Sequence, residues 1–173
     1  MPATPADKVD VEALAAEGAT LDRHYPLDRF PRLADVLVTA DGEAVARFHF
    51  LYAAEDVPAC ELMVEAVANL RCERCLESFR QPIASQARIA FVADESGESR
   101  VPEGFEAVTL DSGRLSLSEL AEDELLLSLP VVALHEQGTP CADRGAQAKG
   151  DAGGPEKPET HRPFAGLKEL LKH

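Results

Sequence analysis

The chain reads as an α+β domain built on an antiparallel sheet. Three observations predict this: runs of period-two apolar alternation between residues 43 and 91, short links joining them, and one strongly capped helix starting at Ser116. The length of 173 residues suits one domain with extensions. Hydrophobic residues make up 45% and charged residues 28%, ordinary globular usage that excludes a wholly disordered chain.

Residues 1–9 read as a flexible N-terminus and residues 10–136 as a single α+β domain. A short helix is expected over residues 10–18, where Asp10 can cap, Val11, Leu14 and Ala15 form a stripe, and Gly18 suits the C-terminal position. Residues 19–42, with Pro26, Pro31 and no clean period, read as irregular chain laid over a sheet. From Glu43 the alternation places Ala44, Ala46, Phe48, Phe50 and Tyr52 on one face, with Arg47 and His49 opposite. After Asp56 and Pro58 a second strand puts Leu62, Val64, Ala66, Ala68, Leu70 and Cys72 on one face. A turn from Cys75 to Gln81 leads to a third strand with Ile83, Ala87, Ile89 and Phe91 in phase. A shorter strand is expected over residues 105–110. Adjacent strands with short links favour an antiparallel meander with one wet face. Ser116 and Glu119 then form an S-x-x-E capping box, Leu115 and Leu120 a hydrophobic staple, and the helix runs to Leu129 before Pro130 ends it.

Residues 137–160 lack Val, Ile, Leu, Met and aromatic residues. Such a stretch buries too little apolar area to offset its ordering entropy and reads as a disordered acidic linker. Phe164, Leu167, Leu170 and Leu171 space a short amphipathic helix over residues 161–173.

With 17 Lys+Arg against 31 Asp+Glu the net charge is -14. That excludes a protein that coats nucleic acid unaided, because such binding takes clustered cations to displace counterions. No apolar run reaches the ~20 residues of a membrane-spanning helix. The start, Met1 to Pro5, has neither a charged nor an apolar segment of a secretory signal, so a cytoplasmic protein is expected. Cys60, Cys72, Cys75 and Cys141 are then reduced thiols, too few for a disulfide scaffold.

Four constellations bear on chemistry. Cys72-Glu73-Arg74-Cys75 is a C-x-x-C at a strand exit, a spacing that lets two thiolates take two corners of a tetrahedral zinc. His135 and Cys141, an H-x5-C after the helix with Gly138 and Pro140 between, can supply the other two. Cys72, Cys75, His135 and Cys141 would then close a structural three-sulfur, one-nitrogen site. The plainer reading has Cys72 packed in the sheet and Cys141 in the tail, while Cys60 reads as a packing residue. Dithiol redox chemistry at Cys72 and Cys75 is the second possibility, although its attacking cysteine usually sits at a helix N-terminus. Third, Glu119, Glu122, Asp123 and Glu124 crowd the first turns of the capped helix, with Glu119, Glu122 and Asp123 sharing a face. Acids there complement the helix dipole on a solvated face, and paired carboxylates can also hold Mg2+ or move protons. Fourth, Arg71, Arg74, Arg80 and Arg88 form the one local cationic excess, beside Glu73, Glu77 and Phe79, a weak signal for RNA. Between Asp94 and Glu124 ten acids face two bases, a balance suited to a cationic partner. Glycine-rich nucleotide loops, G-x-S-x-G and H-E-x-x-H are absent from the sequence.

Taken together, these segments resemble the YceD family. The resemblance is carried by Cys72-Glu73-Arg74-Cys75-Leu76-Glu77 after a strand and by the run from Leu120 to Pro130. It continues in His135 and Cys141, in Arg162-Pro163-Phe164 and in Leu167. It spans the chain from about residue 10 to the end, with Ala133 where relatives often have proline. It implies a non-enzymatic role in accumulation of the 23S rRNA of the large ribosomal subunit, hence in ribosome biogenesis. Some branches of the family carry more cysteines after the helix, which makes metal binding plausible in those branches. The implied partner is a pre-ribosomal large subunit or a cationic ribosomal protein. The partner-facing residues expected are Glu119, Glu122, Asp123 and Glu124, with Arg71 and Arg74. A thiol-disulfide oxidoreductase using Cys72 and Cys75, or a zinc-dependent interaction module, are the competing classes.

Overall fold

A computed structural model describes residues 7–54, 56–110, 113–136 and 141. Expectations for the acidic linker (apart from Cys141), the C-terminal helix and residues 1–6 lie outside the described residues. The architecture is α+β: a five-stranded sheet, a two-stranded sheet and helices laid against one face.

The chain opens with β1 (Lys8–Asp10) and α1 (Val11–Glu17). Asp10 caps α1 by accepting from the Ala13 N–H at 3.1 Å, and Gly18 closes it at φ 60, a left-handed conformation glycine adopts without a Cβ penalty. Residues 19–42 are more ordered than their sequence suggests. They form β2 (Thr20–Pro26), a 3-10 turn (Leu27–Arg29) and the single-turn helix α2 (Pro31–Ala34). Tyr25, Leu27, Phe30 and Leu33 are buried, so tertiary packing supplies the order that local periodicity does not.

Three long antiparallel strands follow: β3 (Glu43–Ala54), β4 (Val57–Arg71) and β5 (Ser78–Val92). β4 starts earlier than the alternation indicates, and it takes in Pro58 and Cys60. The inward sets match the alternation closely. Ala44, Ala46, Phe48 and Phe50 of β3 are buried, as are Leu62, Val64, Ala66, Ala68 and Leu70 of β4.

The sheet order is β2-β3-β4-β5-β6, and its last step departs from a simple meander. β6 (Glu106–Thr109) pairs parallel with the end of β5, Ile89 opposite Glu106 and Val92 opposite Thr109. A 3-10 segment (Glu95–Arg100) within the connection lets the chain come back in the same direction. β7 (Arg114–Ser116) then pairs with β1, a two-stranded ladder with no sequence signal of its own.

α3 (Leu117–Leu127) lies over the inner face of the sheet. Ser116 caps it as the S-x-x-E pattern predicts, accepting from the Glu119 N–H at 3.4 Å. Leu115 and Leu120 of the staple are both buried. The helix ends at Leu127 with Ser128 as its C-cap, one turn before Pro130. Leu117, Leu120, Ala121 and Leu125 fill the core against β4 and β5.

The acids of α3 do not form the solvated face that their helical spacing implies. Glu122 is only 3% exposed and Glu124 is 7% exposed. Glu122 accepts from the backbone N–H of Arg32 at 2.7 Å and of Leu33 at 3.1 Å, and from the Arg32 guanidinium at 2.8 and 3.0 Å. It thereby serves the first turn of α2, whose N–H groups have no partner within so short a helix. Glu124 accepts from the Ser85 hydroxyl at 2.6 Å and ties α3 to β5. Glu119 remains exposed, and Asp123 bonds the outer edge of the Arg32 guanidinium at 2.5 Å.

Glu122→Ala removes the acceptor for all of these donors and leaves buried N–H groups without partners. We expect a loss of about 2–4 kcal/mol, read as a lower midpoint in chemical denaturation. Glu119→Ala, on the same helix but exposed, should stay within about 0.5 kcal/mol.

Candidate metal centre

β4 ends at Arg71 and β5 begins at Ser78, so residues 72–77 must reverse the chain. The Cys72 N–H donates to the Glu77 carbonyl at 2.9 Å, and the Leu76 N–H donates to the Cys72 carbonyl at 2.8 Å. Closing the turn this tightly puts Leu76 at φ 64, the one non-glycine residue with positive φ among the described residues. A left-handed backbone costs an L-residue about 1–2 kcal/mol. Leu76 is 65% exposed, so little burial of its side chain offsets that cost. Local strain retained at a turn that presents two cysteines marks the turn as a functional candidate.

The segment after α3 comes to this turn. The Glu73 N–H donates to the Ala133 carbonyl at 2.9 Å, holding residues 133–135 against the hairpin. Phe79, at the start of β5, lies against the His135 ring with centroids 4.6 Å apart. That contact orients the imidazole, and His135 Nδ1 stands 3.6 Å from Cys75 Sγ. Cys141 is buried, and one donor atom from each of Cys72, Cys75, His135 and Cys141 lies within 4.8 Å of the others.

The donor set suits a metal. Three sulfurs and one imidazole nitrogen are soft-to-borderline ligands of the kind that hold tetrahedral zinc. With Zn–S bonds of ~2.3 Å, ligand atoms at the corners of a tetrahedron lie roughly 4 Å apart. The separations here need only a small contraction to reach that value.

The electrostatics point the same way. Burial raises the Cys72 thiol, but backbone hydrogen bonds from His135, Cys75 and Arg74, with one from the His135 side chain, outweigh it. They bring the thiol down from its ordinary 9.0 to about 5. Cys72 therefore presents a thiolate, the form that binds metal, with little proton release required near neutral pH. Cys60 behaves oppositely. It sits in the core opposite Ile89, and burial pushes its thiol up to about 12, as befits a packing residue.

The C-x-x-C occupies a hairpin turn and lacks the helix N-terminus that would favour dithiol redox work. Arg71 and Arg74 are exposed at this end of the hairpin. Arg88, grouped with them by sequence, pairs with Glu61 at 3.3 Å and covers the Phe105 ring at 4.3 Å. The order in Leu76, the orienting role of Phe79 and the burial of Glu122 have no signature in the sequence.

Fold and site define an α+β domain whose longest hairpin ends in a three-cysteine, one-histidine donor cluster. The model of one family, described as large ribosomal RNA subunit accumulation protein YceD, matches residues 60–171, and the chain belongs to that family. A large ribosomal RNA subunit accumulation protein YceD of Haemophilus influenzae is 26% identical over 113 residues. The match covers 65% of this chain and 65% of that relative, so it leaves about a third of the relative's length unmatched. No solved structure matches the chain. Among the described residues no helix is long and apolar enough to cross a membrane.

Leu76→Gly should relieve the left-handed strain without removing buried area. We expect a gain of about 1 kcal/mol in thermal or chemical denaturation. A loss of stability would mean that the Leu76 side chain contributes a contact outweighing its backbone cost.

Proposed function

We propose that this protein is a non-enzymatic ribosome-biogenesis factor that supports accumulation of the 23S rRNA of the large subunit in the cytoplasm. The single observation that carries the reading is the family match. Its span, residues 60–171, takes in the β4–β5 hairpin, the C-x-x-C turn, α3, His135 and Cys141. The partner in this reading is a pre-ribosomal large subunit, met through exposed residues, Arg71 and Arg74 among them. Glu122 and Glu124 drop out as contact residues because they are committed to Arg32, Leu33 and Ser85. Glu119 and Asp123 remain available for a cationic ribosomal protein, Asp123 while bonded to Arg32.

Zinc has a structural part in the same proposal. Held by Cys72, Cys75, His135 and Cys141, it would fasten the chain after α3 to the hairpin turn. The donor chemistry and their mutual distances within 4.8 Å support it. A dithiol oxidoreductase is disfavoured by the turn geometry and by the third sulfur and imidazole crowding the pair.

Deleting the gene should lower mature 23S rRNA relative to 16S rRNA, measured by electrophoresis of total RNA and by the height of the large-subunit peak. An unchanged ratio and peak, in cold as well as normal growth, would remove the reading. Protein purified without chelator should hold about one zinc per chain by elemental analysis. Cys75→Ser should lose the metal and lower the melting temperature, because metal binding to a site absent from the unfolded chain is folding free energy. Cys60→Ser should keep the metal.

A further inference from the structure

Among the described residues two sets of arginines stand out, apart from Arg23 in β2, Arg29 in the 3-10 turn and Arg114 in β7. Arg32, Arg47, Arg88 and Arg100 are each bonded to a carboxylate, of Glu122 and Asp123, Asp22, Glu61 and Asp56 respectively. Arg71, Arg74 and Arg80 are exposed and make no ion pair among the described residues. These three stand together at the turn end of the β4–β5 hairpin.

Register fixes their arrangement. Arg71 is opposite Ser78 and Asn69 is opposite Arg80 in the antiparallel ladder. Directly paired residues share a face, so Arg71 and Arg80 project on the same outer side as diagonal neighbours, about 7–8 Å apart at the backbone. Their neighbours Leu70 and Cys72 point inward and are buried. Arg74 lies in the turn between the two strands, next to Cys75. The donor cluster beneath the turn would hold these three guanidinium groups on a fixed base.

We propose that Arg71, Arg74 and Arg80 contact the phosphate backbone of large-subunit rRNA, resting on the reading of this protein as a large-subunit assembly factor. A guanidinium offers a planar fork of donors that matches phosphate oxygens, and its charge persists at any physiological pH. The contact is local. Glu73 and Glu77 share the turn, and Asp41 and Glu43 line the shallow hollow that Arg80 borders. With a chain charge of -14 around it, the patch engages a few phosphates within a particle and cannot coat free RNA.

The test compares the full chain with the triple variant Arg71→Gln, Arg74→Gln, Arg80→Gln. Each side chain is exposed and in no ion pair among the described residues, so zinc content and melting temperature should match the parent, which keeps a binding loss interpretable. Binding to purified large-subunit precursor particles is measured across a salt series. Three phosphate contacts on RNA predict that the slope of log affinity against log salt drops by about 2 in the variant. Affinity at low salt should drop at least tenfold. An unchanged slope and affinity would overturn the proposal. A photoreactive diazirine side chain in place of Leu76, between Arg74 and Arg80, identifies what lies against the turn. Crosslinks to rRNA support the proposal, whereas crosslinks only to a ribosomal protein overturn it in favour of an acidic protein surface. Complementation separates the two readings. If deletion lowers 23S rRNA and the triple variant restores it fully, the arginine contact fails and the biogenesis role stands. If deletion changes nothing, the biogenesis role itself fails.

Discussion

The β4–β5 hairpin is the element on which the other parts depend. Its strands are 15 residues each, ~50 Å of extended chain, and stay in register from Ala59 opposite Ala90 to Arg71 opposite Ser78. β3 and β2 extend the sheet from one side of it, and β6 adds to the other only near the far end. α3 packs on its inner face and bonds it through Glu124 and Ser85. The turn at its other end carries Cys72 and Cys75. A shift of one residue between β4 and β5 would turn Leu62, Val64, Ala66, Ala68 and Leu70 out to solvent. Burial therefore fixes the register strongly, and the register in turn fixes where the cysteines and arginines stand.

The second constraint is the carboxylate of Glu122. A one-turn helix cannot satisfy its own N–H groups, and α2 is placed where a buried acid from α3 does it instead. The two partners are 90 residues apart in sequence. Arg32 balances the charge that would otherwise be isolated in the core, and Asp123 holds the guanidinium from its outer side. Arg32 lies outside the segment that the family model matches, whereas Glu122 lies within it. The N-terminal third of the domain is thus joined to the matched part by a specific ionic contact as well as by apolar packing.

What was legible in the sequence follows from how local each cause is. The alternation of β3, β4 and β5, the caps of α1 and α3 and the staple at Leu115 and Leu120 depend on neighbours within a few residues. The C-x-x-C, His135 and Cys141 were legible as a donor set because metal ligation restricts residue type more than position. β2, α2 and the β1–β7 ladder were not, since their order comes from burial of Tyr25, Phe30 and Leu33 under distant parts of the chain. The acids of α3 misled for the same reason. Helical spacing puts Glu122 beside Glu119 and Asp123, and nothing nearby in sequence reveals Arg32. The parallel pairing of β6 escaped because strand direction depends on how the chain between Val92 and Glu106 travels, which residue pattern does not encode.

The two ends of the hairpin solve the problem of order differently. Toward the far end, Phe48, Phe50, Leu62, Ile89 and Phe91 supply a broad apolar core. Toward the turn, the inward residues shrink to Ala66, Ala68, Leu70 and Cys72. Beyond Glu65, β4 pairs only with β5 apart from a bridge from Thr39 to Asn69, and an end with so few strands and so little apolar area is marginal when left to itself. Here the chain after α3 covers it, with Leu129 and Ala133 against the core and Ala133 bonded to Glu73. The sulfurs and imidazole converge on the same spot, where a metal, if held there as proposed, would supply cohesion that side-chain area does not. A cross-link of that kind also tolerates a polar exterior. It would let Arg71, Arg74 and Arg80, all exposed, face outward from a turn held from beneath.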